Sequence, residues 1–445
     1  MRIHRLQMRN FKCFEDRTLE LHPQFTLLVG ENGAGKTTVL DALAIAMGIW
    51  LAKPPDSTLA NSGRSIQKKE IRLVWRTEGD RSQFFECRPV SITAQGEISG
   101  RSVVWERLIR QTGTRTTNAN ARDALEIVER HFAMDQAGEH TLSPVVAYYG
   151  AGRAWLPSRD RRRKGRIKNV SARRWGAFYD CFEERIRLND LQDWFRREAV
   201  AFVWRGSWRP GYNVVKDAIL RCLPDADDVW YDGDRGEIVV SLGGQSQPFP
   251  NLSGGQRMMV SLVADLATKA VMQNTHLVTD DQMSHPEDSL PIVLKRTPGL
   301  VLIDELDVHL HPKWQRRVVR DLKETFPEIQ FVCTSHSPFI IQSLEEGELE
   351  ALDRSGSQLL EYTNKSIEDI AEGVQQVESP QQSLKAQELT QATERYFTLL
   401  QETEEGGTTE ELRDAEAAYR AAVKRYSANP GLNAILELQA FAKRK

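Results

Sequence analysis

The residues best suited to chemistry form the octapeptide Gly30-Glu31-Asn32-Gly33-Ala34-Gly35-Lys36-Thr37, which fits the pattern G-x-x-x-x-G-K-[ST]. Glycines at these spacings let the backbone fold around phosphate oxygens with successive N–H groups pointing inward. In this pattern the lysine, Lys36, reaches the β- and γ-phosphates, and the hydroxyl of Thr37 is a ligand of Mg²⁺. The motif therefore predicts a nucleotide site.

The phosphate loop needs a strand before it and a helix after it. The run Phe25–Val29 is apolar and of strand length, and residues 38–47 are almost wholly apolar, which is typical of a helix buried on most sides. A helix that begins at the loop adds the positive end of its dipole to the phosphate site. Both flanks therefore support the nucleotide site.

Two adjacent carboxylates, Asp304 and Glu305, end the apolar run that starts at Leu300. At the carboxyl end of a strand beside the phosphate loop, Asp304 can hold Mg²⁺ through its water shell. Glu305 is placed to orient or deprotonate an attacking water molecule. A buried strand with an exposed acidic turn would show the same pattern, but its pairing with the glycine loop favours a metal site.

Two further segments could contact a γ-phosphate. Ser253, in Leu252-Ser253-Gly254-Gly255-Gln256-Arg257, is a good helix N-cap, and the two glycines let a phosphate approach backbone N–H groups. His336 follows a third apolar strand and could donate to the γ-phosphate. Each segment also has an ordinary structural explanation. One γ-phosphate can contact both the phosphate loop and the Ser253 segment only if the fold brings them together, which a dimer can do across its interface.

The composition restricts the class of protein. The chain has 445 residues, of which 40% are hydrophobic and 27% charged, and a formal net charge of −3. It can bury a large core, and any nucleic-acid contact has to be a local patch. The five cysteines are far apart, which favours buried thiols in a reducing compartment. The sequence shows no signal peptide or membrane-spanning run, so we expect a soluble, cytoplasmic protein.

Changes of composition divide the chain into four predicted parts. Residues 1–152 form a first lobe with the phosphate loop, and residues 153–228 form a helical insertion rich in arginine and aromatic side chains. Residues 229–355 form the second lobe, with the Ser253 segment, the carboxylates and His336. Residues 356–445 form an extension with two amphipathic helices.

The order of these motifs resembles that of the ABC-type ATPases. The opening Leu6-x-Met8-x-Asn10-Phe11-Lys12-x-Phe14 is similar to the first strands of RecF and SMC heads. The stretch 304–315, DELDVHLHPKWQ, and the later TSHSP at 334–338 resemble the PtuA-type ATP-binding proteins of Septu and retron antiphage systems. The resemblance implies an α/β fold, a two-lobed ABC-type ATPase head of the SMC/RecF/OLD branch.

The resemblance also implies roles for single residues. Glu305 would be the catalytic base, His336 the switch histidine, and Thr37 and Asp304 the Mg²⁺ ligands. Asp307 resembles the D-loop residue that couples two sites across a dimer, and the Ser253 segment would close over the ATP of a second copy. The residues expected to contact ATP are Gly30, Asn32, Gly33, Gly35, Lys36, Thr37, Thr38, Ser253, Gly254, Gly255 and Asp307.

Some features stay open. No Q-loop glutamine can be placed, because the turn after Tyr149 offers Gly150, Gly152 and Arg153 instead. We interpret His309 and His311 as structural rather than metal-binding.

The partners follow from the resemblance and from one basic segment. A homodimer or a higher homo-oligomer would regulate an effector such as an HNH-type nuclease. The run Arg159–Lys168 is the candidate for nucleic-acid contact, since arginines bind phosphates and nearby aromatic side chains can stack on bases. The alternatives are a RecF-like DNA repair ATPase and a scaffold that holds ATP without turnover.

Overall fold

The computed structural model describes residues 1–56, 59, 62–78, 81–152, 175–179, 181–278, 290–353, 362, 364–402 and 410–425. The chain separates into two compact units, Met1–Asn364 and Lys365–Lys445. The basic run at 159–168 lies outside the described residues. The four-part division of the sequence stays a prediction.

The strands of the described chain are β1 (Arg2–Phe11), β2 (Phe14–Glu20), β3 (Phe25–Val29), β4 (Leu73–Glu78), β5 (Arg81–Glu86), β6 (Val90–Ile98), β7 (Arg101–Ile109), β8 (Val145–Tyr149), β9 (Ala226–Asp232), β10 (Glu237–Leu242), β11 (Gln245–Pro248), β12 (Gly299–Ile303), β13 (Ile329–Thr334) and β14 (Leu349–Ala351).

The α-helices of the described chain are α1 (Lys36–Met47), α2 (Arg122–Gln136), α3 (Leu188–Arg205), α4 (Pro210–Cys222), α5 (Gly254–Gln273), α6 (Ile292–Arg296), α7 (Pro312–Gln315), α8 (Val318–Thr325), α9 (Pro338–Gln342), α10 (Ile367–Gly373), α11 (Leu384–Glu402) and α12 (Glu410–Arg425). None of them is both long and apolar enough to cross a membrane.

The central sheet of the first unit has five parallel strands in the order β14-β3-β13-β12-β8. β3, β8, β12 and β13 are short apolar runs in which every residue is buried, as expected of strands covered on both faces. Because the strands are parallel, their carboxyl ends lie at one edge of the sheet, where ligands bind in open α/β folds. The phosphate loop, Asp304 and His336 all follow strands at this edge.

Helix α1 lies between the central sheet and an antiparallel sheet in the order β2-β1-β6-β7. Its residues from Thr38 to Met47 are all buried, because both sides of the helix face a sheet. Trp105 on β7 donates its indole N–H to the carbonyl of Ala46 at 3.1 Å. The sandwich fixes the helix whose first residue is Lys36.

Helices α3, α4 and α6 pack against α5. Helix α4 contacts α5 and α8, and the hydroxyl of Tyr212 donates to the carbonyl of Val229 on β9 at 3.1 Å. β9, β10 and β11 form a small antiparallel sheet. These contacts hold α5, and with it the Ser253 segment, against the main body of the unit.

The second unit contains the two amphipathic helices predicted from the sequence, now α11 and α12. Tyr396, Phe397, Leu412 and Ala415 form its buried cluster, and the rings of Tyr396 and Tyr419 stack at 5.3 Å.

The cysteines depart in part from the prediction of buried thiols. All five lie within the described residues as thiols; Cys181, Cys222 and Cys333 are buried, but Cys13 is exposed and Cys87 is half-buried. Cys13 is exposed because it lies in the turn between β1 and β2, where the side chain leaves the sheet.

Candidate nucleotide site

The phosphate loop connects β3 to α1, as its sequence predicts. Gly35 adopts φ 100°, and a Cβ atom there would lie 2.5 Å from Cζ of Phe14, so only glycine fits. Lys36 Nζ donates to the carbonyl oxygens of Gly30 at 2.7 Å and Glu31 at 3.0 Å. The lysine thus folds back over its own loop, where phosphate oxygens would bind.

Burial of Lys36 lowers the pKa of its ammonium group, and the carboxylates of Asp304, Asp353 and Glu305 act in the opposite direction. The group therefore lies among three carboxylates at the carboxyl edge of the sheet. This acidic environment suits a site that binds a nucleotide together with a divalent cation.

The opening hairpin of the chain supports this loop from one side. Phe14 on β2 packs against Gly35, and the sulfur of Cys13 lies 3.7 Å from the hydroxyl of Thr38. Lys12 pairs with Asp41 on α1, which Arg64 also contacts at 3.3 Å. The opening segment, which resembles the first strands of RecF and SMC heads, therefore anchors the start of α1.

Asp304 connects the loop to the strand end. Its Oδ2 accepts a hydrogen bond from the hydroxyl of Thr37 at 3.0 Å, and its Oδ1 accepts one from the hydroxyl of Thr334 at 2.6 Å. Asp304 is only 8% exposed, so both carboxylate oxygens are held in a desolvated position. The two predicted Mg²⁺ ligands, Thr37 and Asp304, are in contact.

Glu305 follows Asp304 in an uncommon backbone conformation. Its φ is 50°, a left-handed value that costs a non-glycine residue on the order of 1 kcal/mol or more. Its N–H donates to the hydroxyl of Thr334 at 2.7 Å, and the N–H of Leu306 donates to the carbonyl of Thr334 at 2.8 Å. Thr334 holds the turn, and the side chain of Glu305 is exposed.

The Ser253 segment begins α5 with a capping box. The Ser253 hydroxyl accepts from the N–H of Gln256 at 3.3 Å, and the Gln256 side chain accepts from the N–H of Ser253 at 2.9 Å. A Cβ at Gly255 would lie 2.5 Å from the carbonyl oxygen of His309. Gly255 therefore has a packing role within its own chain, because it lets α5 approach the loop that follows Glu305.

The loop after Glu305 and the loop that carries His336 are joined. The hydroxyl of Ser335 donates to Oδ1 of Asp307 at 2.5 Å. His336 is exposed, whereas Ser335 and Ser337 on either side of it are buried. His311, in the same loop as Asp307, accepts from the N–H of Lys313 at 3.3 Å and caps α7.

Three residues that the sequence motifs did not identify contact this site. Thr334 bonds Asp304 and Glu305, as described above. Asp353, just after β14, accepts from the N–H of Glu31 at 3.0 Å. Tyr149, at the end of β8, accepts from the N–H of Asp304 through its carbonyl at 2.8 Å and donates its hydroxyl to Asp265 on α5 at 2.5 Å.

The sequence offers one indication of such contacts, namely a residue with a hydroxyl or carboxylate at the carboxyl end of an apolar strand. Tyr149 and Thr334 each end such a strand, whereas Asp353 follows the short β14, which contains Glu350.

Two protein-family models match separate parts of the chain. A model described as an AAA domain matches residues 5–195. A second, described as an AAA domain of the AbiEii toxin type from type IV toxin–antitoxin systems, matches residues 240–342. Between them they include the phosphate loop, the Ser253 segment, Asp304 and His336.

Curated relatives extend over most of the chain. The Septu protein PtuA of Bacillus thuringiensis is 30% identical over 345 residues, which cover 75% of this chain and 71% of the relative. The Retron Vc95 probable ATPase of Vibrio cholerae is 23% identical over 79% of this chain and 74% of its own length. A Septu protein PtuA from Bacillus mycoides is 23% identical over 79% of this chain, which spans only 40% of that relative.

A solved SMC head domain from Thermotoga maritima is 15% identical, with a TM-score of 0.41, and the match covers 79% of this chain and 94% of that one. The family assignment depends on the sequence relatives alone. The chain belongs to the family of ABC/SMC-like ATPases that includes Septu PtuA and the retron probable ATPases.

Proposed function

We propose that the chain hydrolyses ATP as a cytoplasmic dimer and that its ATP-bound state controls a partner effector, a nuclease such as one of the HNH type, in antiviral defence. One observation carries the enzymatic part. Thr37 and Asp304 lie 267 positions apart in the sequence, yet Oγ1 of Thr37 is 3.0 Å from Oδ2 of Asp304. The fold thus brings a hydroxyl of the phosphate loop to a strand-end carboxylate, as ATP hydrolysis requires.

The donor set fits a magnesium ion. Mg²⁺ prefers oxygen ligands and is usually bound by one or two protein groups together with phosphates and water. Thr37 and Asp304 would hold it, and when bound the ion neutralises charge on the β- and γ-phosphates. Thr334 orients the Asp304 carboxylate through the second oxygen, so the ligand is fixed before the ion arrives.

Side chains of the site supply the other steps. Lys36 exchanges its two carbonyl acceptors for oxygens of the β- and γ-phosphates. The exposed carboxylate of Glu305 takes a proton from a water molecule whose oxygen bonds to the γ-phosphorus. The bond between that phosphorus and the β–γ bridging oxygen breaks, and the electron pair leaves on ADP. The fixed turn at Glu305 keeps its carboxylate on the side of the incoming water.

A second copy would complete the site. Ser253 is exposed at the start of a 20-residue helix, so the positive end of the helix dipole is available to a phosphate. His336 is exposed as well and would contact the γ-phosphate from the same chain as Lys36. Closure of two copies over two ATP molecules would be the bistable element that the γ-phosphate controls.

Glu305→Gln and Lys36→Ala test the enzymatic proposal together. With Glu305→Gln we expect phosphate release to stop while ATP stays bound and a dimer persists. With Lys36→Ala we expect ATP binding itself to fail, and the chain to stay monomeric with ATP. The measurements are phosphate release, nucleotide retention and mass by light scattering. If Glu305→Gln hydrolysed ATP at the wild-type rate, the role proposed for that carboxylate would be wrong.

Phage plating tests the biological proposal. Cells that carry the chain with its neighbouring genes should plate phage less efficiently, and Lys36→Ala should restore plating. Copurification of a nuclease with the wild-type chain would identify the effector. If cells with the Lys36→Ala variant stayed protected from phage, defence would not depend on the ATP site.

The basic run at Arg159–Lys168 stays a prediction of nucleic-acid contact. If DNA stimulates ATP hydrolysis and neutral substitutions at Arg161, Arg162 and Arg163 remove the stimulation, a RecF-like repair role gains support. Purified protein that retains ATP and releases no phosphate would point to the scaffold instead.

A further inference from the structure

The side-chain amide of Gln315, at the end of α7, joins two loops of the candidate site. Its Nε2 donates to the carbonyl of Leu310 at 2.9 Å and to that of Asp307 at 3.4 Å. Its Oε1 accepts from the hydroxyl of Ser337 at 2.6 Å. One amide thus bonds the loop that follows Glu305 through its donors and the loop of His336 through its acceptor.

A second connection runs parallel to the amide. The Ser335 hydroxyl donates to Asp307 and accepts from the N–H of Ser337 at 2.9 Å. Ser335 is 1% exposed and Ser337 is 5% exposed, so these bonds are shielded from water and hold their geometry. The exposed His336 lies between two anchored neighbours, and both anchors lead to the segment from Asp307 to Gln315.

The Ser337 hydroxyl forms hydrogen bonds with both its proton and its oxygen lone pairs. It donates its single proton to Gln315, and its oxygen accepts from the N–H groups of Phe339 and Ile340 at the start of α9. Because the proton is committed to Gln315, the lone pairs point at the helix. Gln315 therefore sets the orientation of the cap that begins directly after His336.

We infer that Gln315 is a positioning residue for ATP hydrolysis, which transmits displacement of the Asp307 loop to the imidazole of His336. This inference rests on the proposed function, in which Asp307 faces a second copy and His336 contacts the γ-phosphate. A shift of the Asp307 and Leu310 carbonyls moves the amide, the amide moves Ser337, and Ser337 moves the adjacent histidine. Dimer closure and γ-phosphate contact are thereby coupled within one chain.

Gln315→Met and Gln330→Met form a matched pair for the test. Gln330 on β13 also uses its whole amide, since it donates to the carbonyls of Ile3 at 2.8 Å and His22 at 2.9 Å and accepts from the N–H of Ile3 at 2.9 Å. It lies at the other end of β13 from Thr334. Both substitutions keep the length of the side chain and remove the same kinds of hydrogen bond. A general loss of stability is therefore common to both.

For Gln315→Met we expect kcat for ATP to fall about tenfold to a hundredfold, the cost of a displaced reacting group. The Kd for ATP should stay within about twofold, because the phosphate loop is unchanged. Gln330→Met should lower Tm and leave kcat near that of the wild type. Gln315→Glu keeps the acceptor and loses the donors, so its kcat should fall as well.

Substitutions of Ser337 provide a second test. Ser337→Ala should lower kcat, Ser337→Thr should restore most of it, and Gln315→Met should add little to Ser337→Ala because both break the same bond. Equal kcat for Gln315→Met and Gln330→Met, with Glu305→Gln still inactive, would overturn the role of Gln315 and leave the proposed function intact. A wild-type chain that neither binds nor hydrolyses ATP would overturn both.

Discussion

Thr334 donates its hydroxyl proton to Oδ1 of Asp304 at 2.6 Å, and its own hydroxyl oxygen accepts from the N–H of Glu305 at 2.7 Å. One buried hydroxyl on β13 therefore positions two consecutive carboxylate residues that follow β12. The pairing of these strands, in which Cys333 lies opposite Ile303, brings the hydroxyl to the right place. Thr334 belongs to the candidate site although it carries no charge.

Thr334→Val tests this role, because valine has nearly the same shape without the hydroxyl. The change leaves a buried Asp304 oxygen and the Glu305 N–H without this partner, at a cost of about 1–3 kcal/mol. We expect a lower kcat and a higher Mg²⁺ concentration for half-maximal ATP turnover. Thr334→Ser, which keeps the hydroxyl, should stay close to the wild type. An unchanged Mg²⁺ requirement in the valine variant would contradict the assignment.

Gly255→Ala tests the contact between α5 and the loop after Glu305. The added Cβ would lie 2.5 Å from the carbonyl oxygen of His309, a backbone atom that cannot rotate away. We expect the free energy of unfolding to fall by roughly 1–3 kcal/mol. Gly233→Ala is the control, since a Cβ there meets no atom within 4 Å. Equal denaturant midpoints for the two variants would show that the loop yields without cost.

Tyr149→Phe tests the link between the end of β8 and α5. The Tyr149 hydroxyl donates to Asp265, which also pairs with Lys269, so the carboxylate keeps one partner when the hydroxyl is removed. We expect a loss of about 1 kcal/mol in unfolding free energy. In an Asp265→Asn background the same change should cost less, because the charged acceptor is gone. Additive effects in this double-mutant cycle would contradict the contact.

His131→Gln tests the pH dependence of stability. His131 is buried between the hydroxyls of Ser99 and Ser143, and burial lowers its pKa to about 4, against a smaller opposite effect of Asp135. The unfolded chain takes up the proton first, near pH 6.5. The stability due to the neutral ring is therefore complete above pH 6.5 and lost as the pH falls to about 4, a total of about 3 kcal/mol.

Denaturant unfolding measured across this pH range checks the prediction. The wild type should lose more stability than His131→Gln between pH 6.5 and 4, by about the amount given above. Parallel curves for the two proteins would show that His131 titrates alike in the folded and unfolded chains.

The sequence predicted those parts of the site that depend on neighbouring residues. The phosphate loop needs only an apolar strand, spaced glycines and a helix, and Ser253 is recognisable as an N-cap from its residue type and its neighbours. The strand that ends at Asp304 was equally visible, because a buried parallel strand is a short continuous apolar run. These elements are determined by local pattern, and the structure has them where the pattern puts them.

Partners distant in the sequence could not be predicted in the same way. Thr334, Asp353 and Gln315 are ordinary polar residues in the sequence, and they gain a role only when parallel strands align their ends. The order of the central sheet depends on which strands become neighbours, and no local pattern specifies that β3 lies between β13 and β14. The Arg159–Lys168 run lies outside the described residues, so its nucleic-acid role stays a prediction.

The order of strands in the central sheet has a consequence for synthesis of the protein. Phe25 pairs with Phe331 and Leu27 with Leu349, so β3 gains its neighbours only when the later strands have left the ribosome. Contacts between such distant segments form late and slow folding. The phosphate loop is among the first segments made, yet its carboxylate partner Asp304 is made 267 positions after Thr37. An incomplete nascent chain truncated before β12 therefore lacks Asp304 and, under the proposed function, cannot hydrolyse ATP.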